Sequence, residues 1–270
     1  LSPHLLKSCH QLLRHVTRDD FKESLLPACD RAMLRNPEIT LSCFSSMIEG
    51  LKVEMSPYAL DVGKHLATQC HAKADADRDL AVAACASLAT LCSDGEAVSN
   101  LLKHMIAVLN GSEGKLTVVP QRMGMLSGIG NLSANTVSGA SAVQTLACAA
   151  TELFIQVLQT EAHEGTLIHT LGQLTRWASK FTTQVPEKLS LWFKTGFGQK
   201  TSTSAVRNAY IQCMNAAYSG DRLVQGLEVL PLLMQAMEKA ASQSTQHQLV
   251  TEALSAACLL VKLSLADIQA

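Results

Sequence analysis

Apolar residues recur at every third or fourth position through almost the whole chain, the spacing of helices that bury one face. Pro, Gly or Ser/Asn clusters interrupt this pattern roughly every fifteen to twenty residues, where turns are expected. At Asn36-Pro37 a capping residue precedes a proline suited to the first helical turn. Ser93 and Glu96 have the spacing of a capping box. The pattern therefore predicts helices that alternate with short turns.

Neighbouring predicted helices group into pairs of roughly forty residues, the length of a two-helix repeat. The predicted pairs are residues 22–35 with 37–52, 57–71 with 75–92, 94–110 with 118–134, 140–159 with 163–180, 186–197 with 203–219, and 222–241 with 245–265. Residues 2–18 have the pattern of the second helix of a preceding pair. Because one pair cannot bury its own apolar stripe, several pairs must stack around a shared core.

A period near forty with two helices is typical of HEAT repeats, whereas armadillo repeats have a third short helix in each unit. We therefore predict an all-α fold, a HEAT-type α-solenoid of about six helix pairs. We expect residues 1–270 to form one continuous segment of a longer protein, because both termini fall within helical patterns.

The stretch SAVRNA, residues 204–209, resembles the start of the second helix in HEAT repeats, where a Val-Arg pair precedes alanines. By that resemblance, Val206 faces the core and Arg207 links neighbouring units. The stretch DRDLAVAACASLATLC, residues 77–92, looks like the same device without the arginine. Its small residues let helices approach closely, so only one pair is expected to carry the Val-Arg signature.

The composition supports a folded, helical chain. Hydrophobic residues make up 47% and charged residues 17%, which excludes disorder, and the 4% aromatic content suits close helix packing better than sheets. The nine cysteines are odd in number, scattered and mostly set among Ala and Leu, so we expect free, buried thiols in a reducing compartment. Since no secretory leader and no long apolar window is visible, we expect a cytoplasmic protein without a membrane span.

Several short motifs resemble chemical sites but lack the required spacing. GSEGKLT, residues 111–117, has too short a gap between its glycines for a phosphate-binding loop, and DADRD, residues 75–79, lacks the later glycine and glutamate of a calcium loop. Cys-His neighbours at 9–10 and 70–71 lack four-ligand zinc spacing. We expect no cofactor, no metal and no small-molecule substrate. An enzyme remains a minor hypothesis that would need a pocket with converging ionisable groups.

Charge is distributed unevenly although the formal net charge is only −1. Met123 to Thr151 contains no charged residue, which predicts core and a sheltered turn, or alternatively a surface covered by a partner. From residue 176 to 222, seven basic residues face two acidic ones. The basic residues are Arg176, Lys180, Lys188, Lys194, Lys200, Arg207 and Arg222, and the acidic ones are Glu187 and Asp221.

This basic segment also contains Trp177, Trp192, Phe193 and Phe197. It could contact phosphates or an acidic protein face. The predicted contact residues are Arg176, Lys180, Lys188, Lys194 and Lys200. In the alternative interpretation, the lysines only solvate exposed helix faces while the aromatic residues pack in the core.

Two stretches are similar to the vertebrate form of the general-control-nonderepressible HEAT-repeat activators: SPHLLKSCHQLLRHVTRDDFKESLLPACDRAMLRNPE and AVRNAYIQCMNAAYSGDRL. The resemblance covers the whole chain and corresponds to the N-terminal part of a much longer protein. It implies a cytosolic, ribosome-associated scaffold that senses stalled or collided ribosomes. It also implies activation of the kinase of initiation factor two alpha, through other parts of the full-length protein. No enzymatic activity and no functional residue carry over.

Two functional hypotheses follow. In the first, the chain is a ribosome-linked scaffold that neutralises phosphates, so its binding weakens steeply as salt rises. In the second, it is a protein-binding spacer with no ribosome or RNA contact, whose apolar groove is far less sensitive to salt.

Overall fold

The computed structural model describes residues 3–136, 140–180, 184–197, 203–242 and 247–269, and no strand occurs within these ranges. The α-helices are, in chain order, α1 (Pro3–Leu13), α2 (Arg18–Asp20), α3 (Leu26–Arg35), α4 (Pro37–Gly50), α5 (Ala59–Cys70), α6 (Asp75–Leu91), α7 (Gly95–Leu109), α8 (Val119–Ala134), α9 (Ala140–Thr160), α10 (Glu164–Ala178), α11 (Glu187–Phe197), α12 (Ser204–Ala217), α13 (Leu230–Ala241) and α14 (His247–Gln269). From α3 onward the order of these helices along the chain matches the six predicted pairs, and the all-α prediction is confirmed.

The sixth pair begins differently from its prediction as one helix over residues 222–241. Two 3-10 segments, Gly220–Arg222 and Val224–Val229, precede α13. A Cβ atom at Gly226 would lie 2.8 Å from Leu263 Cδ2, so this glycine lets the segment pass close to α14. Pro231 lacks a backbone N–H and therefore suits the first turn of α13, which delays the α-helix to Leu230.

At the two predicted capping sites, the helix begins within one residue of its predicted start, but the capping contacts differ. Pro37 begins α4, yet the side chain of Asn36 makes no capping hydrogen bond. The helix α7 is capped by Asp94, which accepts from the backbone N–H of Glu96 at 2.9 Å. The capping box predicted at Ser93 is therefore wrong by one residue.

The chain divides into two compact units, Leu1–Leu146 and Ala147–Ala270, each with its own packing. In the first unit the second helices of successive pairs lie side by side, with α1 against α4, α4 against α6, and α6 against α8. The helix α1 thus occupies the position of a second helix, as predicted, although it ends at Leu13 instead of continuing to residue 18. The first helices α5 and α7 also pack against each other, so the unit has HEAT-type packing.

The charge-free stretch contributes to the core of the first unit. Residues Met125, Leu126, Ile129 and Leu132 of α8 are buried. A Cβ atom at Gly128 would lie 2.7 Å from Cys70 Sγ, so the absence of a side chain lets α8 approach α5. The core prediction is confirmed for this part, while the side chains of residues 137–148 lie outside the described residues.

The second unit repeats the side-by-side packing of second helices. The second helices α10, α12 and α14 lie side by side, α11 packs against α12, and α13 packs against α14. Buried side chains from these helices form the core, among them Trp177, Phe193, Tyr218, Leu233 and Leu259. The HEAT-type α-solenoid is confirmed as the fold, while a single continuous segment over residues 1–270 stays a prediction.

The thiols are free as expected, but the expectation that they are buried is wrong for three of them. The cysteines whose side chains are described are all free. Cys9, Cys43 and Cys258 are exposed, whereas Cys70 and Cys213 are buried. In the described part of the chain, no helix is long and apolar enough to cross a membrane.

Candidate functional site

The Val-Arg pair lies at the start of α12, where the Thr203 hydroxyl accepts from the backbone N–H of Val206 at 3.3 Å. Val206 is buried in the core. Arg207 donates through Nε to Glu252 Oε1 at 2.7 Å and through Nη2 to Glu252 Oε2 at 3.1 Å. Because Glu252 belongs to α14, Arg207 links two successive helix pairs. Both expected roles are confirmed.

The Glu252 carboxylate is only 1% exposed, so its charge depends on these partners. The Ser204 hydroxyl also donates to Glu252 Oε2, at 2.7 Å. Three donors from the first turn of α12 therefore converge on one buried carboxylate. This fork-shaped contact fixes the distance and orientation between α12 and α14.

Two further arginines occupy the same position in their helices. Arg207 is the fourth residue of α12, as Arg78 is of α6 and Arg122 is of α8. Arg78 donates to the carbonyl oxygens of Ala72 and Lys73, both at 2.8 Å, and Arg122 donates to that of Thr117 at 3.0 Å. These arginines pin the turn that joins the two helices of a pair.

Residues 77–92 have no arginine directly after their valine, as expected, and the arginine of this helix stands in its first turn instead. Arg78 is 8% exposed and precedes the alanine-rich run, instead of standing directly beside Val82. Its position relative to the start of the helix was the available signal. A search for Arg in the first turn of each second helix would have found both Arg78 and Arg122.

The predicted contact residues on α11 are already paired with acids. Lys188 Nζ donates to Glu152 Oε1 of α9 at 2.5 Å, and Lys194 is in an ion pair with Glu228 of the 3-10 segment before α13. These acids lie outside the interval from residue 176 to 222, so a local charge count overstates the positive field.

The other basic residues divide into buried and exposed ones. Arg222 is buried and donates through Nε to the carbonyl oxygen of Ala217 at 2.7 Å, where it closes the end of α12. Arg176 and Lys180 are exposed near the end of α10 and have no ion-pair partner among the described residues. Lys200 lies outside the described residues.

The aromatic residues of the basic segment are core residues. Trp177 is 1% exposed, Phe193 is 0% exposed and Trp192 is 7% exposed. Bases stack on exposed aromatic faces, which these side chains do not offer. The alternative interpretation is correct for the aromatic residues, and any nucleic-acid contact of this segment would involve phosphates.

A groove of about 460 Å³ separates α9 from α11. Trp192 and the exposed Leu191 lie on its α11 side, and the Glu152–Lys188 ion pair spans it. The groove is open and contains one mutually neutralised pair of charges. In the described part of the chain, no three His, Cys, Asp or Glu side chains are arranged to hold a metal ion.

Comparison with known proteins gives matches over the whole chain. Residues 1–116 match the family described as stalled ribosome sensor GCN1 N-terminal. The chain is 51% identical over 269 residues to stalled ribosome sensor GCN1 of Homo sapiens and 51% identical over 267 residues to that of Mus musculus. It is 23% identical over 270 residues to protein ILITYHIA of Arabidopsis thaliana.

Each match covers 99% of this chain and 10% of the relative, so the chain spans about a tenth of their length. No solved structure matches at a significant level. The 51% identity over 99% of the chain confirms the resemblance seen in the sequence. The chain is thus similar, over about a tenth of their length, to the stalled ribosome sensors GCN1 of human and mouse.

Proposed function

We propose that this chain is a non-enzymatic scaffold segment of a ribosome-associated protein. The full-length protein would sense stalled or collided ribosomes and activate the kinase of initiation factor two alpha through parts outside this chain. The observation that carries the proposal is the 51% identity to stalled ribosome sensors over the entire chain. The proposal places the protein in the cytoplasm and treats residues 1–270 as one continuous segment of a longer protein.

The contacts between neighbouring pairs support a scaffold role. Arg207 and Glu252 join α12 to α14, and Lys188 and Glu152 join α11 to α9. A repeat whose units contact only their neighbours can hold distant surfaces at defined separations. Helical repeats of this kind also lack the enclosed pocket that catalysis usually needs, which favours a non-enzymatic role.

The end of α10 is the favoured site of ribosome contact. Arg176 and Lys180 are exposed, and neither is neutralised by a described acid. Lysine and arginine side chains with free charge can replace the counterions of RNA phosphates. Lys188 and Lys194 would contribute less, because Glu152 and Glu228 already balance their charge. Lys200 stays in the proposed contact set on its sequence position alone.

Sedimentation of the purified chain with ribosomes over a salt series tests this proposal. The Arg176→Gln/Lys180→Gln variant should bind more weakly and lower the slope of log K against log salt by roughly one unit per lost phosphate contact. The matched variant Lys188→Gln/Lys194→Gln removes the same charge from paired lysines and should change the slope less. Absence of binding at low salt would contradict the proposal.

One observation favours a second candidate, the protein-binding spacer without RNA contact. The two lysines of α11 are in ion pairs and the neighbouring aromatic residues are buried, which leaves a nearly neutral surface there. A spacer of this kind would bind partners with little dependence on salt. The same salt series separates the two candidates.

A further inference from the structure

A hydrogen-bonded junction joins two successive turns of the first unit. Glu54 lies between α4 and α5, and Ser93 lies between α6 and α7. Ser93 donates to Glu54 Oε1 through both its backbone N–H and its hydroxyl, each at 3.1 Å. Ser56 donates to the same oxygen through its N–H, at 3.1 Å, and through its hydroxyl. One carboxylate oxygen thus holds both turns.

Two backbone donors complete the junction. The N–H of Asp94 donates to the Ser56 hydroxyl oxygen at 3.0 Å, and the N–H of Met55 donates to the carbonyl oxygen of Leu91 at 2.8 Å. Several individual hydrogen bonds therefore connect the turn before α5 to the turn before α7. A change at Ser93 alters the centre of this network.

The Ser93 hydroxyl is accessible and could accept a phosphoryl group from a kinase. It is exposed, and its neighbours Cys92 (φ −101°, ψ 118°) and Asp94 (φ −92°, ψ 113°) have extended backbone. A protein kinase binds its acceptor in an extended segment; Cys92 and Asp94 already have that backbone, whereas α7 begins at Gly95, so recognition of Glu96 requires its first turn to unwind. The hydroxyl is not enclosed by the core that buries Cys92.

The residues after Ser93 define the class of kinase. Asp94 follows directly, Glu96 follows at the third position, and both are exposed. A kinase with a basic substrate groove is complementary to this arrangement of charge. Ser112 provides an internal comparison, because it is also exposed and is also followed by an acid, Glu113, but has Lys115 at the third position.

We propose that Ser93 is a phosphorylation site for an acidophilic serine kinase and that its phosphorylation opens the junction with Glu54. In this step Ser93 Oγ forms a bond to the γ-phosphorus of Mg-ATP, and the bond from that phosphorus to the β–γ bridging oxygen breaks. The hydroxyl proton passes to the catalytic base of the kinase, and ADP leaves.

Phosphorylation reverses the electrostatics of the junction. The Ser93 oxygen loses the proton that it donates to Glu54, and the phosphate brings roughly −1.5 to −2 charges to a position beside that carboxylate. Asp94 and Glu96 add further repulsion, and Asp94 already occupies the cap of α7. Attraction between the two turns is replaced by repulsion between like charges.

The first experiment incubates the purified chain with Mg-ATP and an acidophilic serine kinase of the casein-kinase type and maps phosphate by mass spectrometry. We expect Ser93 to be modified at least about tenfold faster than Ser112, and Glu96→Gln to slow Ser93 by about tenfold, because the charge match is lost. Absence of phosphate at Ser93, or an unchanged rate in Glu96→Gln, would overturn the proposal.

The second experiment measures hydrogen exchange at the amide of Met55, which reports on the junction without requiring a substitution. We expect it to exchange at least about tenfold faster in the phosphorylated chain than in the unmodified one. Ser93→Ala, checked for native helicity by circular dichroism, removes the hydroxyl donor without adding charge and should accelerate exchange less. Equal exchange in the phosphorylated and unmodified chains would overturn the proposal that phosphorylation opens the junction.

Discussion

The link between Arg207 and Glu252 can be tested by removing one partner. Arg207→Met keeps a long apolar stem but removes the guanidinium that bonds both oxygens of Glu252. The carboxylate is 1% exposed and would retain only the Ser204 hydroxyl as a described donor. Removing one member of a buried ion pair costs about 3–5 kcal/mol, because the remaining charge stays desolvated. Since Ser204 still donates, we expect about 3 kcal/mol, a large share of a typical total of about 5–15 kcal/mol.

Urea denaturation followed by circular dichroism measures this loss. Lys188→Met is the matched control, because it breaks an exposed pair with Glu152 and should cost only about 0–1 kcal/mol. The double variant Arg207→Met/Glu252→Leu should recover most of the stability, since apolar residues often replace a buried pair without loss. A cost below about 1 kcal/mol for Arg207→Met, or no recovery in the double variant, would refute the reasoning.

Three other predictions follow from local geometry. A Cβ atom at Gly124 would lie 2.2 Å from a backbone oxygen, so Gly124→Ala should cost about 1–3 kcal/mol, whereas Gly172→Ala, with nothing within 4 Å, should gain about 0.5–1 kcal/mol; equal urea midpoints would contradict this. Burial raises the pKa of Glu54, but hydrogen bonds from Ser56 and Ser93 outweigh it and lower that pKa below its ordinary value of 4.5. The stabilisation by Glu54 is therefore present above its pKa in the unfolded chain and is lost as pH falls through its pKa in the folded chain. The difference in unfolding free energy between wild type and Glu54→Gln, measured in urea, should therefore shrink between neutral pH and about pH 3. A difference that stays constant would contradict this prediction. Burial raises the pKa of the Cys213 thiol to about 12, so iodoacetamide should modify the exposed Cys258 and spare Cys213 in the native chain; equal labelling would show that α12 is not packed as described.

The helix pairs could be predicted because their signals are local. Apolar periodicity and turn residues placed one helix at 94–110, and the structure has it at Gly95–Leu109. The start of the sixth pair could not be predicted in the same way. Its 3-10 segments depend on the close approach of Gly226 to Leu263, a contact between residues far apart in sequence.

The charge of the candidate site could not be predicted from a local count of charged residues, because the acidic partners are distant in sequence. The partners of Lys188, Lys194 and Arg207 are 36, 34 and 45 residues away in sequence. These separations are close to one repeat, because stacking brings each residue beside the equivalent turn of the next pair. Counting charges at the repeat spacing would have shown that Lys188 and Lys194 face acids.

The sequence predicted the structural role of one arginine, Arg207, but not that of Arg78. Arg207 was predicted to link neighbouring units, and its bond to Glu252 confirms that role. The sequence did not identify Arg78 as a structural residue. Its partners are the carbonyl oxygens of a turn and the neighbouring Asp75, which produce no recognisable motif. Position in the helix, rather than neighbouring residue type, defines this group of arginines.

Cross-linking of the purified chain to stalled ribosomes with a lysine-reactive reagent, mapped by mass spectrometry, tests the scaffold proposal most directly. The account predicts cross-links from Lys180, beside the exposed end of α10, to ribosomal proteins, and fewer of them in Arg176→Gln. The exposed Lys22 and Lys103 of the first unit serve as internal references. Cross-links confined to those references, or none above the level seen without ribosomes, would contradict a ribosome contact at this site.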